Sequence, residues 1–218
     1  MRGHSALQQT ILITFSLYFV TDRKQTAGRP LTDVVHAALD GGLRTVQLRE
    51  KDLDGGALYQ LAADLRKLTS DYQAKLLIND RIDIALAVEA DGVHLGQASF
   101  PVDEARRLLG AGKLIGVSVH SKQEIMAAVG ADFLVFGPVY FTLSKATYGE
   151  PQGLARLREA VVSSSVPVLA IGGIQNERVA EILNAGAHGI AVISAISAAS
   201  DPAQATRDLL KRLSACHD

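Results

Sequence analysis

The chain has 218 residues, 48% of them hydrophobic, 21% charged and 5% aromatic, with 22 Lys and Arg set against 23 Asp and Glu. At roughly 150 residues per domain this is one domain or two, and a single α/β barrel of that size buries a large core unaided. Near-neutral charge excludes the basic field of a nucleic-acid binder, and the one cysteine, Cys216, excludes a disulfide framework and a Cys-ligated zinc site.

Near the start, Arg2 precedes an apolar stretch over 11–20, the length of a signal-peptide core. Thr21, Asp22, Arg23 and Lys24 follow it where small residues at a cleavage site would stand. The stretch contains Thr14 and Ser16 and is too short to span a bilayer, so its second half reads as a buried strand and the protein as soluble and cytoplasmic. Short runs rich in Val, Ile and Leu then recur at 17–20, 45–48, 75–78, 92–95, 114–117, 133–136, 167–171 and 189–193. They lack polar alternation, as strands covered on both faces do. Between them lie stripes of helical period, such as Leu58, Leu61, Ala62, Leu65 and Leu68, and later Val179, Ile182, Leu183 and Ala187. Asp201-Pro202 offers an N-cap and a first-turn proline to a helix over 203–213. Gly41, Gly110, Gly130 and Gly186 stand where helices would end on a left-handed residue. Eight strand-then-helix units with short connections predict one closed (β/α)8 TIM barrel over 17–214, with 1–16 as an N-terminal extension.

In such barrels the chemistry sits at the C-terminal ends of the strands. Those ends carry Thr21-Asp22, then Gln47, Arg49 and Lys51, then Asn79-Asp80, His94 and Gln97, Ser118 and His120, the loop after Gly137-Pro138, Gly172-Gly173 and Ser194. Loops after the last two strands are the usual phosphate grip, so Gly172-Gly173 and Ile193-Ser194 predict an anion site; a plain tight turn is the bland reading. Arg49 and Lys51 alternate along one strand exit and point the same way, unless they merely belong to a solvated charged turn with Glu50, Asp52 and Asp54. Lys145 lies in a long loop running to Gly153, and such loops often act as lids. Together these cations would suit a more highly charged group such as a pyrophosphate. Asp80 is either a magnesium ligand or an N-cap for a helix starting at Ile82. His94 and His120 are either acid/base groups or hydrogen-bonded core residues.

The runs Gln47-Leu48-Arg49-Glu50-Lys51, Asn79-Asp80, Asp91-Gly92-Val93-His94-Leu95-Gly96-Gln97, Gly116-Val117-Ser118-Val119-His120, Gly137-Pro138-Val139-Tyr140 and Ile171-Gly172-Gly173-Ile174 together resemble the thiamine-phosphate synthase superfamily. The likeness extends over 17–213, and the superfamily contains two branches, the synthase and a thiazole tautomerase. The synthase resemblance implies that Gln47, Arg49, Lys51, Asn79, Ser118 and Lys145 hold a hydroxymethylpyrimidine pyrophosphate. It implies that Asp80 holds Mg2+, and that Thr142 and Ser144, with the backbone at Gly173, Ile193 and Ser194, hold a thiazole phosphate. Arg49, Lys51, Ser118, His120 and Lys145 are the expected catalytic set. Small phosphorylated substrates are the expected partners, with no nucleic acid and no membrane, while a homo-oligomer stays open. One position departs from the synthase pattern: after His94-Leu95-Gly96-Gln97 it has a second metal carboxylate where this chain has Ser99. Ser99-Phe100 and the run 118–121 resemble the tautomerase branch, in which a histidine matching His120 moves a proton on the thiazole. A silent paralogue binding thiazole or thiamine phosphate is the third reading.

Overall fold

The computed structural model describes residues 13–142 and 150–215. Strands β1 (Leu17–Val20), β2 (Thr45–Leu48), β3 (Lys75–Asn79), β4 (Gly92–Leu95), β5 (Leu114–Val119), β6 (Phe133–Phe136), β7 (Val168–Ile171) and β8 (Gly189–Val192) pair in chain order. All pairs are parallel, and β8 closes on β1 through Leu17 opposite Ile190 and Phe19 opposite Val192. Outside run α1 (Leu31–Asp40), α2 (Gly55–Asp71), α3 (Ile82–Ala87), α4 (Val102–Leu109), α5 (Lys122–Ala127), α6 (Gly153–Ser163), α7 (Val179–Asn184), the short α8 (Ser194–Ser197) and α9 (Pro202–Ser214). This is the (β/α)8 barrel expected from the eight runs. β3 reaches one residue and β5 two residues beyond the expected ends. That extension puts Asn79 opposite His94 and Ser118 opposite Val135, so polar residues that read as loop are fixed in the ladder.

Two cores follow from the period of two along each strand. Leu17, Phe19, Val46, Leu48, Ile78, Val93 and their equivalents face outward into the layer shared with the helices. Tyr18, Val20, Leu77, Leu114, Phe133, Val135, Leu169 and Ala191 face inward, and Ile13 and Phe15 join them from before β1. The described end of the N-terminal segment is therefore part of the barrel packing. Phe133 meets Phe15 edge-on at 5.3 Å and Tyr18 edge-on at 5.4 Å between ring centroids, geometry that favours aromatic pairs. Inward positions without side chains make room for neighbouring backbone and for one of these rings. A Cβ at Gly92 or Gly189 would strike the carbonyl of Leu114 or Ser16, and one at Gly116 would strike the Phe133 ring and lie 2.7 Å from His94 Nδ1.

The opposite rim, at the N-terminal ends of the strands, is braced twice in the same manner. Asp91 before β4 accepts the Leu76 N–H at 2.8 Å and a bond from Arg66, and Asp132 before β6 accepts the Ile115 N–H at 2.7 Å and a bond from Arg106. The helix caps follow expectation at Asp201, whose carboxylate accepts the Gln204 N–H, and at the left-handed Gly110, Gly130 and Gly186. Gly41 does not: it stays helical at φ −72°, and Gly42 takes the left-handed turn at φ +101°. Gly41 is small for another reason, since a Cβ there would strike the Ala203 carbonyl of α9.

Overpacking a filled interior costs about 1–3 kcal/mol, and more against fixed backbone. Gly92→Ala is expected to lower stability by about 3 kcal/mol in urea unfolding. Gly112→Ala, with nothing within 4 Å of the added atom, should stay within about 0.5 kcal/mol of the parent.

Candidate active site

At the C-terminal mouth the last inward residue of every strand meets one cavity of about 490 Å3. Its floor comprises Val20, Gln47, Asn79, His94, Ser118, Val135, Ile171 and Ala191, one from each strand. The floor is divided: β2 to β5 contribute polar groups and β6 to β1 apolar ones. A flat heterocycle with a polar edge can lie on the first half and an apolar ring on the second.

The rim begins with a staple between β1 and β2. Buried Glu50 accepts the Thr21 hydroxyl at 2.7 Å and the Arg23 backbone N–H at 3.1 Å, while Thr21 Oγ1 accepts the Arg49 N–H at 2.9 Å. The other acids of this turn are engaged elsewhere. Asp52 pairs with Arg23 and Lys24, whose hydrogen bonds hold its carboxyl far below the usual range, and Asp54 caps α2 through the Ala57 N–H. Arg49 and Lys51 line the cavity, and no described acid pairs with either. The charged turn with Glu50, Asp52 and Asp54 therefore does not pair these acids with Arg49 or Lys51.

Asp80 does not cap α3, whose N-cap is Arg81 with no side-chain bond. Its backbone is left-handed at φ +61°, a conformation an Asp tolerates better than most residues. That twist turns the carboxylate toward the loop after β4. There it accepts from Asn79 Nδ2 at 2.7 Å, from the Gly96 N–H at 3.3 Å and from the Ser99 hydroxyl. The described residues contain no group of three or more His, Cys, Asp or Glu side chains arranged for a metal. A single carboxylate is nevertheless a chemically adequate protein share for Mg2+, which completes its shell with phosphate oxygens and water.

Below the rim, His94 is 3% exposed and sits between the Tyr18 hydroxyl, 3.4 Å from Nδ1, and the Ser118 hydroxyl, 2.9 Å from Nε2. Burial drives its pKa down to about 3; Asp80 pulls the other way and Arg49 adds to the fall. His94 is therefore a neutral hydrogen-bonding group at pH 7. His120 differs. Its ring Nδ1 lies 3.0 Å from Glu124 Oε2, which also accepts the His120 backbone N–H at 2.7 Å. Glu124 thereby orients a ring that lines the cavity, as the carboxylate of an acid/base pair does.

Round the mouth from these groups, Gly172 and Gly173 take φ +104° and +64°. A Cβ at Gly173 would lie 2.9 Å from Tyr140 Cβ, and one at Gly172 would lie 2.6 Å from Pro138 Cβ, so glycine is required by both conformation and space. Arg178 donates to the Gly173 carbonyl at 2.6 Å and stacks 4.3 Å over the Tyr140 ring. Gly173, Ile193 and Ser194 all line the cavity beside the first turn of α8, whose early N–H groups have no intrahelical acceptor. Thr142 lines it too, whereas Ser144 and Lys145 lie outside the described residues. The ends of their loop are pinned by Gln152 N–H to Pro138 O at 2.8 Å and Gly153 N–H to Val139 O at 3.0 Å.

Sequence reasoning missed Tyr18, the apolar half of the floor, and Gln25 and Gln152, which also line the cavity. Strand parity was the available signal: stepping back by two from the exit residues Asp22, Gly137, Gly173 and Ile193 selects Val20, Val135, Ile171 and Ala191.

A family model described as thiamine monophosphate synthase matches residues 17–196. A Geobacter sulfurreducens protein that bears a provisional thiamine-phosphate synthase name is 54% identical over 203 residues, 92% of this chain and 95% of that one. The thiamine-phosphate synthase of Clostridium novyi is 44% identical over 199 residues, 90% of this chain and 98% of that one. The solved structure of thiamine phosphate pyrophosphorylase from Pyrococcus furiosus superposes with a TM-score of 0.84 at 39% identity, covering 93% of this chain and 97% of that one.

The neutral His94 gives a pH signature. Its unfolded-state pKa is about 6.5 and its folded one about 3, so between these values the unfolded chain binds more protons. Stability from this residue is complete above about pH 6.5 and falls with acidification by roughly 1 kcal/mol per pH unit. Thermal unfolding followed from about pH 6 to about pH 4.5 should show a visibly shallower decline in His94→Gln than in the parent.

Proposed function

Because the chain belongs to the thiamine monophosphate synthase family, we propose that it condenses a hydroxymethylpyrimidine pyrophosphate with a thiazole phosphate, forming thiamine phosphate and releasing pyrophosphate. The observation that carries this reading is the single cavity with two unlike anion-seeking stations on its rim. One is cationic, at Arg49 and Lys51; the other is glycine-lined, at Gly173 and Ser194.

The chemistry asks for charge stabilisation and alignment rather than a protein nucleophile. The bond from the pyrimidine methylene carbon to the pyrophosphate oxygen breaks, and its electron pair leaves on the oxygen. The aminopyrimidine spreads the resulting positive charge, and the thiazole nitrogen lone pair closes the new C–N bond. Arg49 and Lys51 hold charge as it develops on the departing group. Gln47, Asn79 and Ser118 orient the pyrimidine on the polar half of the floor. Thr142, Ser144, Gly173, Ile193 and Ser194 hold the thiazole phosphate, placing its ring toward Val135, Ile171 and Ala191. Lys145 completes the cationic clamp and excludes water that would trap the carbocation. Mg2+, when bound at Asp80, supplies further neutralisation of the pyrophosphate.

A second reading, the thiazole tautomerase, is supported by the His120–Glu124 pair facing the same cavity. It is separable by assay: metal-free isomerisation of the carboxylated thiazole phosphate, lost in His120→Ala, would favour it. The synthase reading expects thiamine phosphate and pyrophosphate from both substrates with Mg2+, and no product at any Mg2+ concentration would remove it.

Two graded outcomes follow for the synthase. Arg49→Ala should lower kcat/KM by about a hundredfold or more, the scale of losing one preorganised charge-stabilising donor; an unchanged rate would sink the pyrophosphate assignment. Asp80→Asn should raise the Mg2+ concentration for half-maximal rate by about tenfold or more, and an unaltered Mg2+ titration would remove Asp80 as the ligand.

A further inference from the structure

Tyr18 lies on β1 below the cavity floor, 0% exposed, and among the described residues its hydroxyl meets two groups, Gln47 and His94. Gln47 Nε2 donates to it at 2.9 Å. The hydroxyl's own proton then has one acceptor in reach, His94 Nδ1 at 3.4 Å. A buried hydroxyl that donates to nothing is costly, so Nδ1 carries the lone pair and Nε2 the hydrogen. Nε2 in turn lies 2.9 Å from Ser118 Oγ and donates to it. With its oxygen accepting from below, the Ser118 hydroxyl keeps its hydrogen for the cavity that it lines. At the other end, Gln47 has its amide nitrogen turned down to Tyr18, and its Oε1 takes no donor among the described residues. An imidazolium does not fit this chain: Nδ1–H would point at an oxygen already accepting from Gln47, and the tyrosine proton would be stranded.

We propose that Tyr18 sets the hydrogen-bond polarity of the floor, holding His94 as the Nε2–H tautomer and so presenting an acceptor at Gln47 and a donor at Ser118 to the ligand. Resting on the synthase reading, this makes Tyr18 and His94 positioning residues for an aminopyrimidine, whose amino group donates and whose ring nitrogen accepts. A ring with an oxo group in place of the amino group presents the opposite polarity and is rejected at Gln47 by two facing lone pairs. The packing supports a fixed rather than adjustable chain. His94 is wedged between Tyr18 and Phe133 at centroid distances of 5.7 and 6.0 Å, over the Gly116 position that admits it. The Ser118 carbonyl is held by Gln97 Nε2 at 2.6 Å.

The test begins with the unliganded wild-type protein, by nitrogen-15 NMR of its histidines near pH 7, with His94→Gln assigning the resonance. The expected result is a neutral His94 protonated at Nε2; protonation at Nδ1, which reverses every bond in the chain, would overturn the inference. Tyr18→Phe keeps the ring and its contacts with Phe15 and Phe133 while removing the hydroxyl. It should leave His94 a mixture of tautomers and raise KM for the pyrimidine pyrophosphate about tenfold, with kcat changed far less. Adding Tyr18→Phe to Ser118→Ala should cost clearly less than the two single losses combined, because part of the Tyr18 effect runs through the Ser118 hydroxyl and the remainder through Gln47; full additivity would also overturn the proposal. An inactive wild-type enzyme would count against the synthase reading and leave the tautomer measurement standing.

Discussion

A closed ring of eight parallel strands encloses a space that side chains must fill, and everything at the mouth rests on how it is filled below. Here the filling is unequal. Phe15, Tyr18, Leu77, Leu114, Phe133 and Leu169 occupy the interior, while Gly116 gives way to the Phe133 ring, Gly92 to Leu114 and Gly189 to the backbone at Ser16. Large rings on some strands facing no side chain on others is how a small barrel reaches close packing without strain. This plug stops at least one inward position short of the strand ends, so the last inward residue of each strand is left with a face toward open space. The cavity is thus a layer of the barrel that is not filled, and its composition is whatever eight particular positions supply.

The electrostatics of the rim follow from where acids are consumed. Glu50 is spent on Thr21 and Arg23, Asp52 on Arg23 and Lys24, and Asp54 on the α2 N-terminus. Their placement locks the β1 and β2 exits together, and it also withholds local countercharge from Arg49 and Lys51. Cations that no described acid pairs with can attract an external anion without first breaking an ion pair, which is the condition under which charge stabilisation is most effective. The glycine-lined station works differently. On the proposed reading it would hold a phosphate through backbone N–H groups without adding net charge, so the two stations would differ in strength as well as position.

Much of this was legible in the amino-acid order, for definable reasons. The strands were visible because burial on both faces forces uninterrupted Val, Ile and Leu, and the glycine-lined part of the rim because two adjacent glycines follow a strand at Gly172 and Gly173. Gln47, Asn79 and Ser118 were visible as polar residues in apolar surroundings. Tyr18 was not, because a tyrosine in a buried run looks like core, and its role depends on a histidine 76 positions away. Val135, Ile171 and Ala191 were hidden for the same reason: apolar residues on a doubly covered strand look alike whichever way they face. The capping reading of Asp80 failed because a left-handed residue aims its side chain away from the helix that follows. Gly41 misled because two consecutive glycines offered both a turn and a close approach, and only the packing of α9 tells which does which. Lys145 and Ser144, read as part of the lid loop, lie outside the described residues.

Ser99 bears on how the proposed Mg2+ position at Asp80 is organised. Two carboxylates brought together at the β3 and β4 exits would repel one another and need a cation between them to share the space. A serine removes that repulsion. Its hydroxyl donates to Asp80 while accepting the Gly96 N–H at 2.6 Å, and Gly96 and Asn79 add their own bonds to the same carboxylate. The orientation of Asp80 is therefore carried by the chain itself and does not depend on an ion. The consequence is a trade. If Asp80 is the ligand of the proposed Mg2+, a cation arriving there would find that ligand already aimed but half as much protein charge to hold it, and it would compete with hydrogen-bond donors for the same lone pairs. On the proposed synthase reading, affinity would then shift from the protein to the pyrophosphate oxygens, and metal and pyrimidine substrate would bind as a unit.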